Sequence, residues 1–109
     1  MTKSKYRAKP KYIDGIYFRS TKEANRYVEL KLLEKAGEIS QLKTQPKYVI
    51  ILHMIKICTY TADFLYWDEK KAQYMIEDVK GMKKGAAYNM FKLKSKLMKA
   101  VHNIDVLET

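Results

Sequence analysis

The chain has 109 residues, enough for one domain with one hydrophobic core and too few for two. Hydrophobic residues make up 47%, an ordinary globular share, and 22 Lys and Arg against 12 acidic residues leave a net charge of +10, which favours a polyanion such as nucleic acid. A single cysteine excludes a disulfide framework or a multi-cysteine zinc site; with no apolar stretch long enough for a secretory or membrane-spanning segment, a reducing cytoplasm is expected.

Residues 1–11 read as a basic flexible arm, and residues 12–109 as one domain. Asp14-Gly15 between short apolar runs predicts a tight hairpin over residues 12–18. Ser20-Thr21-Lys22-Glu23 has the capping-box pattern, and Ala24, Tyr27, Val28, Leu32 and Leu33 recur at helical spacing until Gly37. Residues 41–47 read as a connection. The unbroken apolar, β-branched run over residues 48–52 predicts a strand covered on both faces, with a weak turn over 53–56. Strands are expected over 57–66 and 73–80, joined by the polar run 67–73. A basic loop bracketed by Gly81 and Gly85 leads to a helix over residues 86–101, with Met90, Phe91, Leu93, Leu97, Met98 and Val101 available to the core. A short strand over 104–108 closes the chain. The order is helix, three strands, helix, strand: an α/β fold with a mixed sheet and helices packed on it.

Chemistry gathers in residues 60–81. Asp78 and Lys80 share one face of a strand, and a hairpin can bring Asp63 beside them. A carboxylate among apolar residues is costly to desolvate unless it meets a cation or a donor. Asp63, Asp78 and the Val79 carbonyl are therefore candidate oxygen ligands for a hard divalent cation, with Lys80 as a movable positive charge beside it. The competing reading is a solvent-facing Asp–Lys pair with no chemistry. Glu77 points to the opposite side, where it is expected to be solvent-exposed or salt-bridged. Lys92, Lys96 and Lys99 form a basic helix stripe that, with Lys83 and Lys84, is the candidate phosphate-binding surface. His53 and His102 accompany no nucleophile and read as surface residues, Cys58 reads as a small core residue, and packing is the expected work of Tyr66 and Tyr88.

The arrangement resembles the PD-(D/E)XK nuclease superfamily: Ala62-Asp63 stands where that superfamily has Pro-Asp, and Asp78-Val79-Lys80 stands for (D/E)-x-K. The αβββαβ order matches its restriction-endonuclease-like core. Residues 12–18, 20–23, 35–39, 45–46 and 60–81 are more closely similar to a small phage and prophage family known only as a domain of unknown function and grouped with these nucleases. The resemblance implies a Mg2+- or Mn2+-dependent DNA endonuclease, similar to phage endonuclease I and archaeal Holliday-junction resolvases, acting as a homodimer in the bacterial host cytoplasm. Those relatives carry a further acidic residue on the first helix, for which Glu23 is the matching candidate; the capping box gives Glu23 a structural role as well. A nucleic-acid-binding module without catalysis, or a protein binding an acidic partner, would share the fold and the charge.

Overall fold

A computed structural model describes residues 11–109. Of the expected basic arm only Lys11 falls within it, as the first residue of strand β1 (Lys11–Ile13). β1 pairs with β2 (Ile16–Phe18) through a turn in which Asp14 and Gly15 both take positive φ, at 53° and 78°, as a two-residue hairpin of this twist requires. Helix α1 (Thr21–Lys35) starts at Ser20, whose hydroxyl accepts from the Glu23 amide, and stops before Gly37, which takes φ +83°.

Next come β3 (Ile39–Thr44), β4 (Lys47–Leu52), β5 (Ile55–Thr61), β6 (Phe64–Asp68) and β7 (Gln73–Asp78), then α2 (Ala86–His102) and β8 (Val106–Glu108). The main sheet has the order β3-β6-β7-β8, antiparallel except for the parallel β7–β8 pair, and β4 and β5 form a separate two-stranded ribbon. α1 and the N-terminal hairpin cover one face through Phe18, Tyr27, Leu30, Phe64 and Tyr66. On the other side Phe91 and Met98 of α2 pack with Ile50, Tyr60, Ala62 and Ile76. The result is the expected mixed α/β fold: a mixed sheet between helices, a short N-terminal hairpin, and an αβββαβ order formed by α1, β3, β6, β7, α2 and β8 with the β4–β5 ribbon inserted.

Several boundaries differ from the sequence reading. The expected connection over 41–47 is largely strand β3, the true first strand of the core, while the run over 48–52 belongs to the ribbon. The single strand expected over 57–66 is two, because the chain changes sheets at Ala62 and Asp63. The β3–β4 link bends at the same level, with Gln45 at φ 55°, and backbone bonds tie the two bends: Gln45 N–H to the Asp63 carbonyl at 2.9 Å and Ala62 N–H to the Pro46 carbonyl at 3.0 Å. The β6–β7 turn occupies only the middle of the expected polar run, since Trp67, Asp68 and Gln73 pair within the strands.

The ribbon is covered on one side only: Val49 and Ile51 face outward and are exposed, and Leu52, on the side of buried Ile50, is exposed where the ribbon runs past the core, contrary to a strand buried on both faces. A register shift between Ile50 and Ile51 marks a bulge, which bends the ribbon and increases its twist locally. Its tip is a two-residue turn in which His53 (φ 51°) and Met54 (φ 67°) both occupy the left-handed region. Neither is glycine or asparagine, so each costs about 1 kcal/mol or more of backbone strain. Met90 and Leu93 point outward from α2, and Val28 and Leu32 from α1, because each helix rests only a narrow stripe on the sheet. Among the described residues, no helix is long and apolar enough to cross a membrane.

Candidate active site

Asp63 stands where the sheet divides. Its amide donates to the Glu77 carbonyl on β7 at 3.0 Å, and its Oδ2 accepts from the Val79 amide at 2.7 Å. Two contacts to the same extended stretch hold the carboxylate just past the end of β7. Asp78, the last residue of that strand, is buried beside it.

Burial raises the Asp63 pKa to about 7; the Val79 amide opposes this, and the Asp78 and Glu23 carboxylates add to it. The physical content is plain: two carboxylates share a poorly hydrated space and repel each other, so one of them holds its proton near neutrality.

Asp78 has its own partners. Lys80 lies 3.0 Å from its Oδ1, and the Tyr60 hydroxyl donates to its Oδ2 at 2.5 Å. Burial, and then the bond to Asp78, push the Tyr60 pKa well up, so Tyr60 remains a donor. The Lys80 ammonium also sits 4.2 Å from the centre of the Phe91 ring, and the Lys22 ammonium lies 2.5 Å from the Lys80 carbonyl. Lys80 is thus held between an acid and an aromatic face, with its backbone anchored to α1 and, through its amide, to the Thr109 carbonyl.

Of the residues singled out from sequence, the structure brings together Asp63, Asp78, Val79 and Lys80. In an extended chain the amide and carbonyl of a residue leave from the same edge, so the Val79 carbonyl faces the side on which Asp63 lies. Glu23 bonds as a capping-box residue, its amide 3.1 Å and its carboxylate 3.5 Å from the Ser20 hydroxyl. It also lines a cleft of about 340 Å3 with Asp63, Thr61, Gln45, Arg19 and Tyr17. The larger cavity of about 460 Å3 between the N-terminal hairpin and α1 is mainly apolar and lies apart from these carboxylates. Among the described residues, no three His, Cys, Asp or Glu side chains gather closely enough to form a ready metal cage.

Glu77 departs from expectation. It faces away from Asp78 as strand alternation requires, yet it is fully buried rather than solvent-exposed. Arg26 of α1 binds it through two nitrogens at 2.8 and 2.6 Å, and the Tyr66 hydroxyl donates to the same carboxylate. This bond to Glu77 is the main cause that raises the Arg26 pKa. The clamp fixes α1 on β7 one residue from Asp78, and with it the placement of Glu23 over the cleft.

Tyr60 and Arg26 were not singled out from sequence. Tyr60 lies three residues before Asp63 in the same apolar run and could have been suspected. Arg26, 51 positions from Glu77, offered no local signal.

The candidate phosphate-binding lysines divide. Lys83 and Lys92 approach Glu108 at 3.6 and 3.9 Å, and Lys99 lies 3.1 Å from Asp105. Lys84 and Lys96 are exposed, without an ion pair among the described residues. Tyr88 donates to Glu108 at 2.9 Å and Tyr66 is buried, so both tyrosines pack, as expected. His53 is exposed at the ribbon tip, and His102 ends α2 with a ring nitrogen 3.1 Å from the Val49 carbonyl. Cys58 is half-buried against the α2-side core.

A mixed α/β fold consistent with a nuclease-like core, with two acids and a lysine at the split of its sheet, is the class these observations define. The chain belongs to the family described as "Protein of unknown function (DUF1064)", whose profile matches residues 3–106. No curated protein and no solved structure matches it.

Proposed function

We propose that this protein is a metal-dependent DNA endonuclease of the PD-(D/E)XK type, and that Asp63, Asp78 and Lys80 form its catalytic centre. The observation that carries the reading is the convergence of these three side chains at a point fixed by backbone bonds. The donor set suits Mg2+ or Mn2+: hard carboxylate oxygens, crowded enough that Asp63 keeps its proton to about pH 7 when no cation offsets the charge. Asp63 and Asp78 would hold the ion, with the Val79 carbonyl as a further oxygen, and Glu23 as the acid nearest to them across the cleft. A divalent cation there would supply Lewis-acid polarisation of the scissile phosphate and acidify its water.

The chain's own groups do the rest. The Val79 amide and the Tyr60 hydroxyl orient the two carboxylates, so little reorganisation remains when substrate arrives. Lys80 exchanges part of its contact with Asp78 for the charge that builds on the phosphoryl oxygens. Its ammonium is compact and can shift between them. Lys83, Lys84, Lys92, Lys96 and Lys99 hold the DNA backbone and make binding salt-sensitive. Branched DNA such as a Holliday junction, met during phage recombination or replication in the host cytoplasm, is the proposed substrate. Such a substrate needs two cuts, hence a homodimer.

Nicking of a supercoiled plasmid and of a synthetic four-way junction, with Mg2+, Mn2+ or EDTA, tests the reading. Cleavage by wild type, lost in Asp63→Ala and Lys80→Ala while DNA binding persists, is the expected outcome. Cleavage that survives in both variants would discard this site. One observation favours a second reading, a binding module without catalysis: both oxygens of Asp78 are already engaged, by Lys80 and Tyr60. Salt-sensitive binding with no cutting under any metal would select it.

A further inference from the structure

We propose that the outer face of the N-terminal hairpin is a stacking platform for an unpaired DNA base at the mouth of the candidate centre, with Arg19 holding the phosphate beside that base. Tyr12 and Tyr17 are paired across β1 and β2, and alternation turns both away from the core, on which Ile13, Ile16 and Phe18 of the opposite face pack. Their ring centroids lie 5.4 Å apart, and the two residues are 70% and 42% exposed. The hairpin beneath them is fixed: Phe18 is buried, and the Tyr27 hydroxyl donates to the Asp14 carboxylate at 2.7 Å. Rings held in place yet open to water suit base stacking, because little ordering remains to be done on binding. A cross-strand tyrosine pair also steadies its own hairpin; the surroundings of this pair give it a second task.

The platform adjoins the carboxylates. Tyr17 lines the same cleft as Arg19, Glu23, Gln45 and Asp63. The Gln45 side-chain amide donates to the Tyr17 carbonyl at 3.5 Å and its backbone N–H to the Asp63 carbonyl at 2.9 Å, so one residue ties the hairpin to the candidate centre. Arg19, two residues after Tyr17, is exposed and makes no ion pair among the described residues, although it shares the cleft with two acids. Its guanidinium is therefore available to a phosphate, which it can bind through two parallel donors. Tyr12 extends the aromatic surface beyond the cleft.

An aromatic pair by itself would suit a sugar or an apolar peptide. The adjoining guanidinium and the net charge of +10 select a nucleotide. A base inside a duplex has both faces covered by its neighbours, so a side chain can stack only on one that has left the stack. Stacking tolerates every base and phosphate carries no sequence, so the site reads the form of the DNA. The inference rests on the endonuclease reading and narrows its branched substrate: a fork or flap, with single-stranded nucleotides at the branch, is preferred to a fully paired junction.

Fluorescence anisotropy in EDTA, where nothing is cut, compares a forked duplex, the same fork with abasic nucleotides in its arms, and a fully paired duplex. Wild type should bind the intact fork at least about 5-fold more tightly than either of the others, the least that stacking one base is worth. Tyr12→Leu with Tyr17→Leu should erase that difference and leave affinity for the paired duplex unchanged, while Tyr12→Phe with Tyr17→Phe keeps it. Arg19→Gln should weaken binding to both forks and lower the salt slope by roughly one. An abasic fork bound as tightly as the intact one overturns the proposal, and that comparison needs no variant to fold. So does a leucine pair that retains the preference, or an Arg19→Gln protein that binds as wild type does. Wild type that binds no DNA overturns both the platform and the nuclease reading. A base-dependent preference for forks with no cleavage under any metal upholds the platform and discards catalysis alone.

Discussion

Replacing Asp63 by asparagine should stabilise the fold while removing the proposed activity. The carboxyl's pKa rises from the model-compound 3.8 to about 7, so between those values the folded chain binds a proton that the unfolded chain does not. Stability therefore falls as pH rises through this window, and the full cost is felt above pH 7. Three units at 1.36 kcal/mol each set a ceiling of about 4 kcal/mol at pH 8, and only about 1.6 kcal/mol at pH 5. Asp63 is only half-buried beside an open cleft, so water screening leaves about 2 kcal/mol to be recovered by Asp63→Asn at pH 8. Asparagine keeps an oxygen to accept from Val79 and places an amide where Asp78 repelled. A domain of this size should gain roughly 8–10 °C in Tm. Differential scanning calorimetry of both proteins at pH 5 and pH 8, in EDTA, measures it. A variant less stable than wild type at pH 8, or a gain that does not shrink at pH 5, would refute the reasoning.

Lys80→Met should lower cleavage by about 100-fold or more at saturating metal while leaving junction affinity within a few fold, as gel-shift and single-turnover assays on one preparation would show. Arg26→Met leaves the buried Glu77 carboxylate with only Tyr66 and should cost about 3 kcal/mol in urea unfolding; Arg26→Met with Glu77→Gln should recover part of that, and a double variant no better than the single would contradict the clamp. Tyr60→Phe removes one donor from buried Asp78 and should destabilise by about 1–2 kcal/mol, read from the same urea transitions. Glu108→Gln frees Lys83 and Lys92 for phosphate and should tighten DNA binding and steepen its salt dependence, whereas Glu38→Gln, an exposed acid of equal charge in the link between α1 and β3, should do so less.

Much of the fold was legible because its signals are local. Asp14-Gly15 announced the first hairpin, Ser20 and Glu23 the start of α1, and the apolar period of residues 86–101 gave α2 to within a residue. What the sequence could not convey depends on distant partners. Strand β3 was missed because a bulge between Ser40 and Lys43, where Gln41 takes φ 58°, puts its apolar residues Ile39 and Leu42 three apart and hides the alternation. The break at Ala62–Asp63 leaves no mark in residues 57–66, since it is set by Gln45 and Pro46 across the bend. The run over 48–52 looked doubly buried because continuous apolar strands usually are; here a two-stranded ribbon has only one covered side. Asp63, Asp78 and Lys80 could be read from alternation plus one hairpin. Glu77's face followed from the same alternation, but its burial depended on Arg26, half the chain away.

Calorimetric titration of Mn2+ into wild type and into Asp63→Asn at pH 6, where Asp63 still holds its proton, probes the carboxylate pair most directly. The account predicts saturable binding to wild type, proton release as Asp63 gives up its hydrogen, and no comparable heat from the variant. Equal binding by both proteins, or none by wild type at millimolar metal, would contradict it.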